Sequence, residues 1–215
     1  MSDMPNLSKG RRGRPINADL IPQILKVAGD LFLELGYQGA TMEAVAKGVG
    51  MSKLTLYRRF QTKEELFAAV VRAKCEEFIP EALFEQCDEL PVREALLSIA
   101  IGLMNLMNSR EAMSIETILR ADGANHQNLR DLFFEAGPGR VKAAMARYFQ
   151  RLSARGTLKI EDPVFYTHVF SSLIKGSDIH MRCGMGIGDR PSDEEIGHYC
   201  TKAVDFFVRG LEPPR

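Results

Sequence analysis

Residues 51–63 read Met-Ser-Lys-Leu-Thr-Leu-Tyr-Arg-Arg-Phe-Gln-Thr-Lys. This is a short helix between two turns. Ser52 is a good N-cap, because its hydroxyl accepts from the free N–H groups of the first turn. A period of about 3.6 residues then puts Leu56 and Phe60 on one face. Thr55, Arg58 and Arg59 point the other way, with Leu54 beside Arg58 and with Lys53 and Tyr57 on the flank. The apolar pair can dock the helix on a small core. The outer face offers two guanidinium groups, a hydroxyl and a branched apolar side chain. A phosphate-lined groove with base edges at its floor suits that set, since Arg reads guanine bidentately and apolar groups meet the thymine methyl.

The preceding residues extend the pattern. Thr41 is the N-cap candidate of a second short helix to Val49, with Val45 and Val49 on one face. Gly50 supplies the positive φ of a tight turn. Two short helices joined through such a turn make a helix-turn-helix, whose second helix enters the major groove. The competing reading is two surface helices of an ordinary helical domain. Here the residues carry a resemblance. Gly39-Ala-Thr41-Met-Glu-Ala-Val-Ala46, Gly50-Met-Ser52-Lys-Leu-Thr55-Leu-Tyr57-Arg-Arg-Phe60 and Thr62-Lys63-Glu-Glu-Leu-Phe67 resemble the TetR family of bacterial transcriptional repressors. The likeness is close from about Ile21 to Phe78 and looser beyond. It implies that Thr41, Tyr57 and Lys63 contact phosphates, and that Lys53, Thr55 and Arg58 lie near the groove floor. Leu54 departs from the family pattern, where a small residue is commoner, so no operator sequence carries over.

Composition agrees with a divided chain. Of 215 residues, 45% are hydrophobic and 26% charged, and the net charge is zero. Met1–Lys74 nevertheless holds 12 Lys plus Arg against 7 Asp plus Glu, so the remainder is acidic by the same margin. Such asymmetry suggests a basic, nucleic-acid-facing part joined to something with another task. The cysteines at 75, 87, 183 and 200 form no C-x-x-C pair. No secretory signal or membrane-length apolar run is visible, so the expected setting is a reducing cytoplasm, in association with the nucleoid.

The expected fold is all-α. Residues 1–16 read as a disordered basic arm, 17–79 as the three-helix DNA-binding head, and 80–215 as a helical effector-binding and dimerisation body. Within the arm, Arg11, Arg12 and Arg14, spaced by Gly and ended by Pro, form a cationic ribbon suited to a narrow minor groove. A helix is predicted from about Asp19 to Leu35, with Ile24, Leu25, Ala28, Leu31, Phe32 and Leu35 as its core stripe. The helix after Thr62 opens on a capping box with Glu65 and runs to Ile79. Lys63 in its first turn opposes the helix dipole, which a phosphate at the same site would relieve. In the body, helices are predicted over 92–108, 110–120, 129–136, 141–154 and 163–181, and after the capping box Ser192-x-x-Glu195. Gly137-Pro138-Gly139 reads as a turn. The stretch from Leu119 to Gly176 resembles an effector-domain subtype of these regulators, of the AefR-like kind.

The body's methionines and aromatics suggest an adaptable apolar pocket, because Met is flexible and polarizable. The candidates are Met104, Met107, Met113, Arg120, Phe133, Met145, Tyr148, Phe149 and His168, with Asn105 and His126 as further polar groups; core filling is the competing reading for any one Met. The last two long helices are apolar on more than one face, which calls for a second partner. The resemblance implies a twofold homodimer through them, with Phe170, Leu173, Ile174, Tyr199, Ala203, Phe206 and Phe207 at the interface. Such a dimer would read double-stranded DNA at a near-palindromic operator. His180, Cys183, His198 and Cys200 lack zinc-ligand spacing, so no metal and no cofactor are expected. No catalytic motif is present, which argues against an all-α enzyme. An effector-independent architectural DNA-binding protein is the other alternative.

Overall fold

Three helices of the N-terminal part start where a side chain replaces a missing backbone partner. Thr41 accepts from the Ala44 N–H, Ser52 from Thr55 and Thr62 from Glu65, each at 3.1 Å. The computed structural model describes residues 20–121 and 127–211. The elements are α1 (Leu20–Gly39), α2 (Met42–Val49), α3 (Lys53–Tyr57), α4 (Lys63–Phe78), α5 (Glu81–Gln86), α6 (Val92–Met107), α7 (Arg110–Ala121), α8 (Gln127–Ala136), α9 (Pro138–Ala154), α10 (Pro163–Lys175), α11 (Asp178–Met185) and α12 (Asp193–Arg209). Among the described residues there is no strand. The arm with Arg11, Arg12 and Arg14 lies outside the described residues.

The head closes as the sequence predicts. Ile24, Ala28 and Phe32 of α1 meet Val45 of α2, Leu56 and Phe60 around α3, and Leu66, Phe67 and Val71 of α4. The rings of Phe32, Tyr37 and Phe67 pack pairwise at 5.3–5.8 Å between centroids. Gly50 takes φ +72, the left-handed value that lets the chain turn from α2 into α3. Regular helix in α1 ends at Gly36, and Leu35 just before it is 53% exposed instead of completing the core stripe.

The head core is not sealed from the body. Ile115 of α7 and Leu129 and Ala136 of α8 belong to the same apolar cluster as the head residues. The second core lies among α6, α9, α10 and α12, around Leu96, Ile99, Phe149, Phe170 and Phe207. Helix α4 links the two parts. Its C-terminal end passes so close to α6 that a Cβ at Gly102 would sit 2.6 Å from the Phe78 carbonyl oxygen. Glycine permits that crossing.

Several boundaries differ from the sequence reading. Helix α3 stops at Tyr57 with Arg58 as its C-cap, so residues 59–61 are turn. The segment 81–86 folds as α5. Gly137-Pro138-Gly139 is the start of α9, with Pro138 in its first turn, where a missing N–H costs nothing. The helix expected to run to Met181 ends at Lys175. Ser177 then caps a separate α11 by accepting from the His180 N–H at 3.2 Å. The Gly176-Ser177 pair is a stop followed by a cap, a signal that the apolar period over 163–181 conceals.

Candidate nucleic-acid interface and ligand cavity

Helix α3 presents its outer face as its spacing requires. Leu56 is fully buried and Phe60 nearly so, while Lys53, Leu54, Thr55 and Arg58 are exposed, Leu54 by 62%. The Ser52 and Thr55 hydroxyls pair at 2.8 Å, which fixes Thr55 at the N-terminal end of that face. Tyr57 is half-buried, and the Lys53 ammonium lies 5.5 Å from its ring centroid. Arg59 departs from the expected placement. Because α3 ends before it, Arg59 is half-buried in the turn, beside Ile21 and Leu25 of α1 and Arg72 of α4, rather than next to Arg58 on the outer face.

Two lysines have partners that spacing did not disclose. Lys53 forms an ion pair with Glu43 of α2, and its ammonium holds the Glu43 carboxyl below the ordinary range. Lys63 donates to the carbonyls of Tyr37 (2.8 Å) and Ala40 (3.2 Å) and lies 4.4 Å from the Tyr37 ring centroid. These carbonyls at the end of α1 offset the unfavourable dipole of α4. Beside them the Tyr37 hydroxyl donates to Glu64 Oε1 at 2.9 Å. The Glu64 carboxyl is lowered by hydrogen bonding to its own backbone N–H first and to Tyr37 second. The entry to α4 is thus tied to the exit of α1.

A cavity of about 500 Å³ lies where α4, α6, α7, α8, α9 and α10 converge. That size accommodates a drug-sized ligand. Of the expected pocket residues, Met107, Phe133 and His168 line it. Met104, Met145, Tyr148 and Phe149 are fully buried in the body core instead, with the Ser177 hydroxyl donating to Met104 Sδ at 3.8 Å. Helical periodicity marks a buried face without telling whether a neighbouring helix or a void meets it. Met113 points toward α11, where a Cβ at Gly184 would be 3.5 Å from its methyl. Asn105 is outside the cavity wall. The side chain of Arg120 and the whole of His126 lie outside the described residues.

The polar lining is largely what the sequence reading missed: Lys74 and Cys75 of α4, Glu116 of α7, Lys142 of α9, and Ser171, Ser172 and Lys175 of α10. Lys74 carried a signal. It continues the stripe Phe67, Val71, Lys74, Phe78 along the inner face of α4, where a charge is out of place. The Cys75 thiol is pushed up to about 11 by burial, so it is protonated at neutral pH.

The expected dimer residues divide in two. Phe170, Ile174 and Phe207 are buried within the protomer's own core. Leu173, Tyr199 and Ala203 are half-buried, with the Tyr199 hydroxyl donating to the Leu173 carbonyl at 2.5 Å. Phe206 is 72% exposed, and Val164 and Phe165 are 56% exposed each. Among the described residues, no group of three or more His, Cys, Asp or Glu is placed to hold a metal, and no helix is long and apolar enough to cross a membrane.

Comparison with known proteins agrees with this geometry. Residues 24–70 match the model of bacterial regulatory proteins of the tetR family, and residues 94–210 match that of the AefR-like transcriptional repressor C-terminal domain. The chain is 27% identical over 184 residues to the HTH-type transcriptional regulator YdeS of Bacillus subtilis, covering 80% of this chain and 87% of that one. The fold superposes on a TetR-family regulator from Mesorhizobium loti with a TM-score of 0.75, at 25% identity, covering 93% of this chain and 100% of that one. It also superposes on the flavonoid-responsive regulator FrrA with a TM-score of 0.68, at 27% identity and the same coverages of 93% and 100%.

Proposed function

The chain belongs to the TetR family of DNA-binding transcriptional regulators, which are not enzymes, and from that premise we propose that it acts as a homodimeric repressor released from its operator by a small amphipathic effector. One observation carries the reading. The wall of the 500 Å³ cavity includes Val71, Lys74 and Cys75 of α4, the helix that follows α3 in the chain and whose other end is anchored to the carbonyls of Tyr37 and Ala40. A ligand there touches the element that positions α3. An architectural protein working without effector would have no use for a cavity in that place. The AefR-like repressor description and the flavonoid response of FrrA support repression and a small-molecule signal.

In this reading the exposed Lys53, Leu54, Thr55 and Arg58 meet base edges, while Thr41, Tyr57 and Lys63 meet phosphates. Ser52 and Arg59 assist at the backbone, and Arg11, Arg12 and Arg14 follow the minor groove. The exposed apolar surface of α10 and α12, which includes Phe165 and Phe206, is closed by a second copy. That places two recognition helices on a near-palindromic site about one helical turn apart. The protein works in the cytoplasm, on the nucleoid. Effector binding favours a state with a different separation of the heads and lowers DNA affinity by the ratio of its affinities for the two states. The test is a thermal-shift screen of amphipathic compounds, followed by DNA binding with each hit. Stabilisation that coincides with loss of DNA binding is expected. A screen with no stabilising compound would remove the effector from the account.

A further inference from the structure

The cavity wall is not neutral. Lys74, Lys142 and Lys175 line it, with Glu116 as the acidic residue of the lining. Lys175 is paired to Glu116 at 3.0 Å. Lys142 lies 5.8 Å from the Phe134 ring centroid and, among the described residues, has no carboxylate within ion-pair distance. Lys74 is half-buried, with 20% of its side chain accessible against 52% for Lys175, and it pairs with Glu77 of its own helix at 3.0 Å and with Glu111 of α7 at 3.2 Å. The Lys74–Glu111 pair therefore straps α4 to α7, with both acidic partners in the neighbouring cleft between α1, α4 and α7, so that Lys74 stands between that cleft and the cavity.

We propose that the effector is an anion with an apolar body, and that it acts by taking Lys74 from Glu111. This rests on the effector reading above and names the chemistry of that site. Burial alone lowers the ammonium's affinity for its proton, and the hydrogen bonds to Glu77 and Glu111 more than restore it. A neutral ligand filling the same volume leaves the strap closed, because opening it would leave the half-buried ammonium with Glu77 as its remaining carboxylate partner and offer no charge in exchange. A carboxylate or phenolate supplies the replacement charge. It opens the strap at small cost, while Lys142 supplies a further cation to the same head group. Glu111, already 39% accessible in the neighbouring cleft, is then left to solvent, and α4 is free of that tie to α7.

The test compares decanoate with decanol, and naphthoate with naphthamide, on the full chain. Binding is read by calorimetry, and release of α4 and α7 by amide hydrogen exchange. Decanoate or naphthoate should bind about tenfold more tightly than its uncharged twin, as a charge-assisted contact implies. The bound anion should speed exchange at the α4–α7 contact, where the neutral twin does not. Which anion wins assigns an aliphatic or an aromatic body. Lys74→Met should reduce the preference for the anion to what Lys142 alone supplies, while keeping affinity for the neutral twin. Should that variant fold poorly, Glu111→Gln serves instead. It should speed exchange at the same contact with no ligand present, whereas Glu77→Gln, which removes an equal charge within α4, should do so much less. Equal binding and equal release by charged and neutral twins would overturn the Lys74 relay and leave the effector reading standing. Equal loosening by Glu77→Gln and Glu111→Gln would also overturn it. Failure of every probe to bind would overturn the relay together with the effector reading.

Discussion

The Lys53 ammonium, on the recognition helix, is held by the Glu43 carboxylate of α2. The pair is solvent-exposed, with more than half of each side chain accessible (55% and 56%). In the free protein, therefore, a cation that we propose meets DNA is partly neutralised by the helix that buttresses it. Binding must share Lys53 between Glu43 and the nucleic acid, and Glu43 repels nearby phosphates.

Glu43→Gln should accordingly tighten DNA binding by about two- to fivefold at moderate salt, the range an exposed ion pair allows. Folding stability should hardly change. Fluorescence anisotropy at several salt concentrations checks this. Weaker binding by the variant would mean that Glu43 serves to orient Lys53 rather than to restrain it.

Leu54 and Leu56 make a second contrast, two residues apart on α3. Leu56 is fully buried and Leu54 is 62% exposed. Leu56→Ala should cost the head about 2–5 kcal/mol, the usual range for a truncated core leucine. Leu54→Ala should leave the melting temperature nearly unchanged and alter base preference at one position in each half-site. Selection from a randomised operator library measures the second effect. An unchanged preference would take Leu54 out of the groove.

Phe206 bears on assembly. At 72% it is the most exposed large apolar side chain among the described residues, and it shares a surface cleft with Tyr166, Val169 and Leu173 of α10. Phe206→Glu should give a folded monomer by sedimentation at micromolar concentration, with loss of operator binding. A variant that stays dimeric would move the interface elsewhere.

The buried thiols give a pH dependence of known sign. Burial pushes Cys75, Cys87 and Cys200 up to about 11 each. In the unfolded chain a thiol titrates near ~8.5. Each raised group therefore contributes stability that is fully present below that value and is lost as pH rises toward 11. Urea midpoints should fall across this window, and a variant with Cys75→Ala, Cys87→Ala and Cys200→Ala should fall less. Parallel curves for the two proteins would contradict the burial of these thiols.

The head was readable in the sequence because its information is local. Caps at Thr41, Ser52 and Thr62, the turn at Gly50 and the Leu56–Phe60 pair act within one helical turn, and each does in the structure what its residue type dictates. The place of Arg59 was not readable, since it depended on α3 ending at Tyr57 with Arg58 as its C-cap. The cavity was less legible still. Met104 and Met107 lie on one helix three residues apart, yet the first is in solid core and the second at a void. That difference is made by α4, α7 and α10, which arrive from distant parts of the chain. Phe170 and Phe207 likewise satisfied their apolar faces within the protomer, leaving Phe165 and Phe206 outside. Lys74 was the one cavity residue that the α4 stripe itself marked as anomalous.

The central claim, that α3 reads DNA in a sequence-specific dimer, is tested most directly by footprinting the protein on the DNA upstream of its own gene over a range of salt concentrations. The expected result is a near-palindromic protected site whose affinity falls steeply as salt rises, through release of counterions from the contacted phosphates. A folded dimer that protects no site at low salt, or binds every sequence alike, would contradict it.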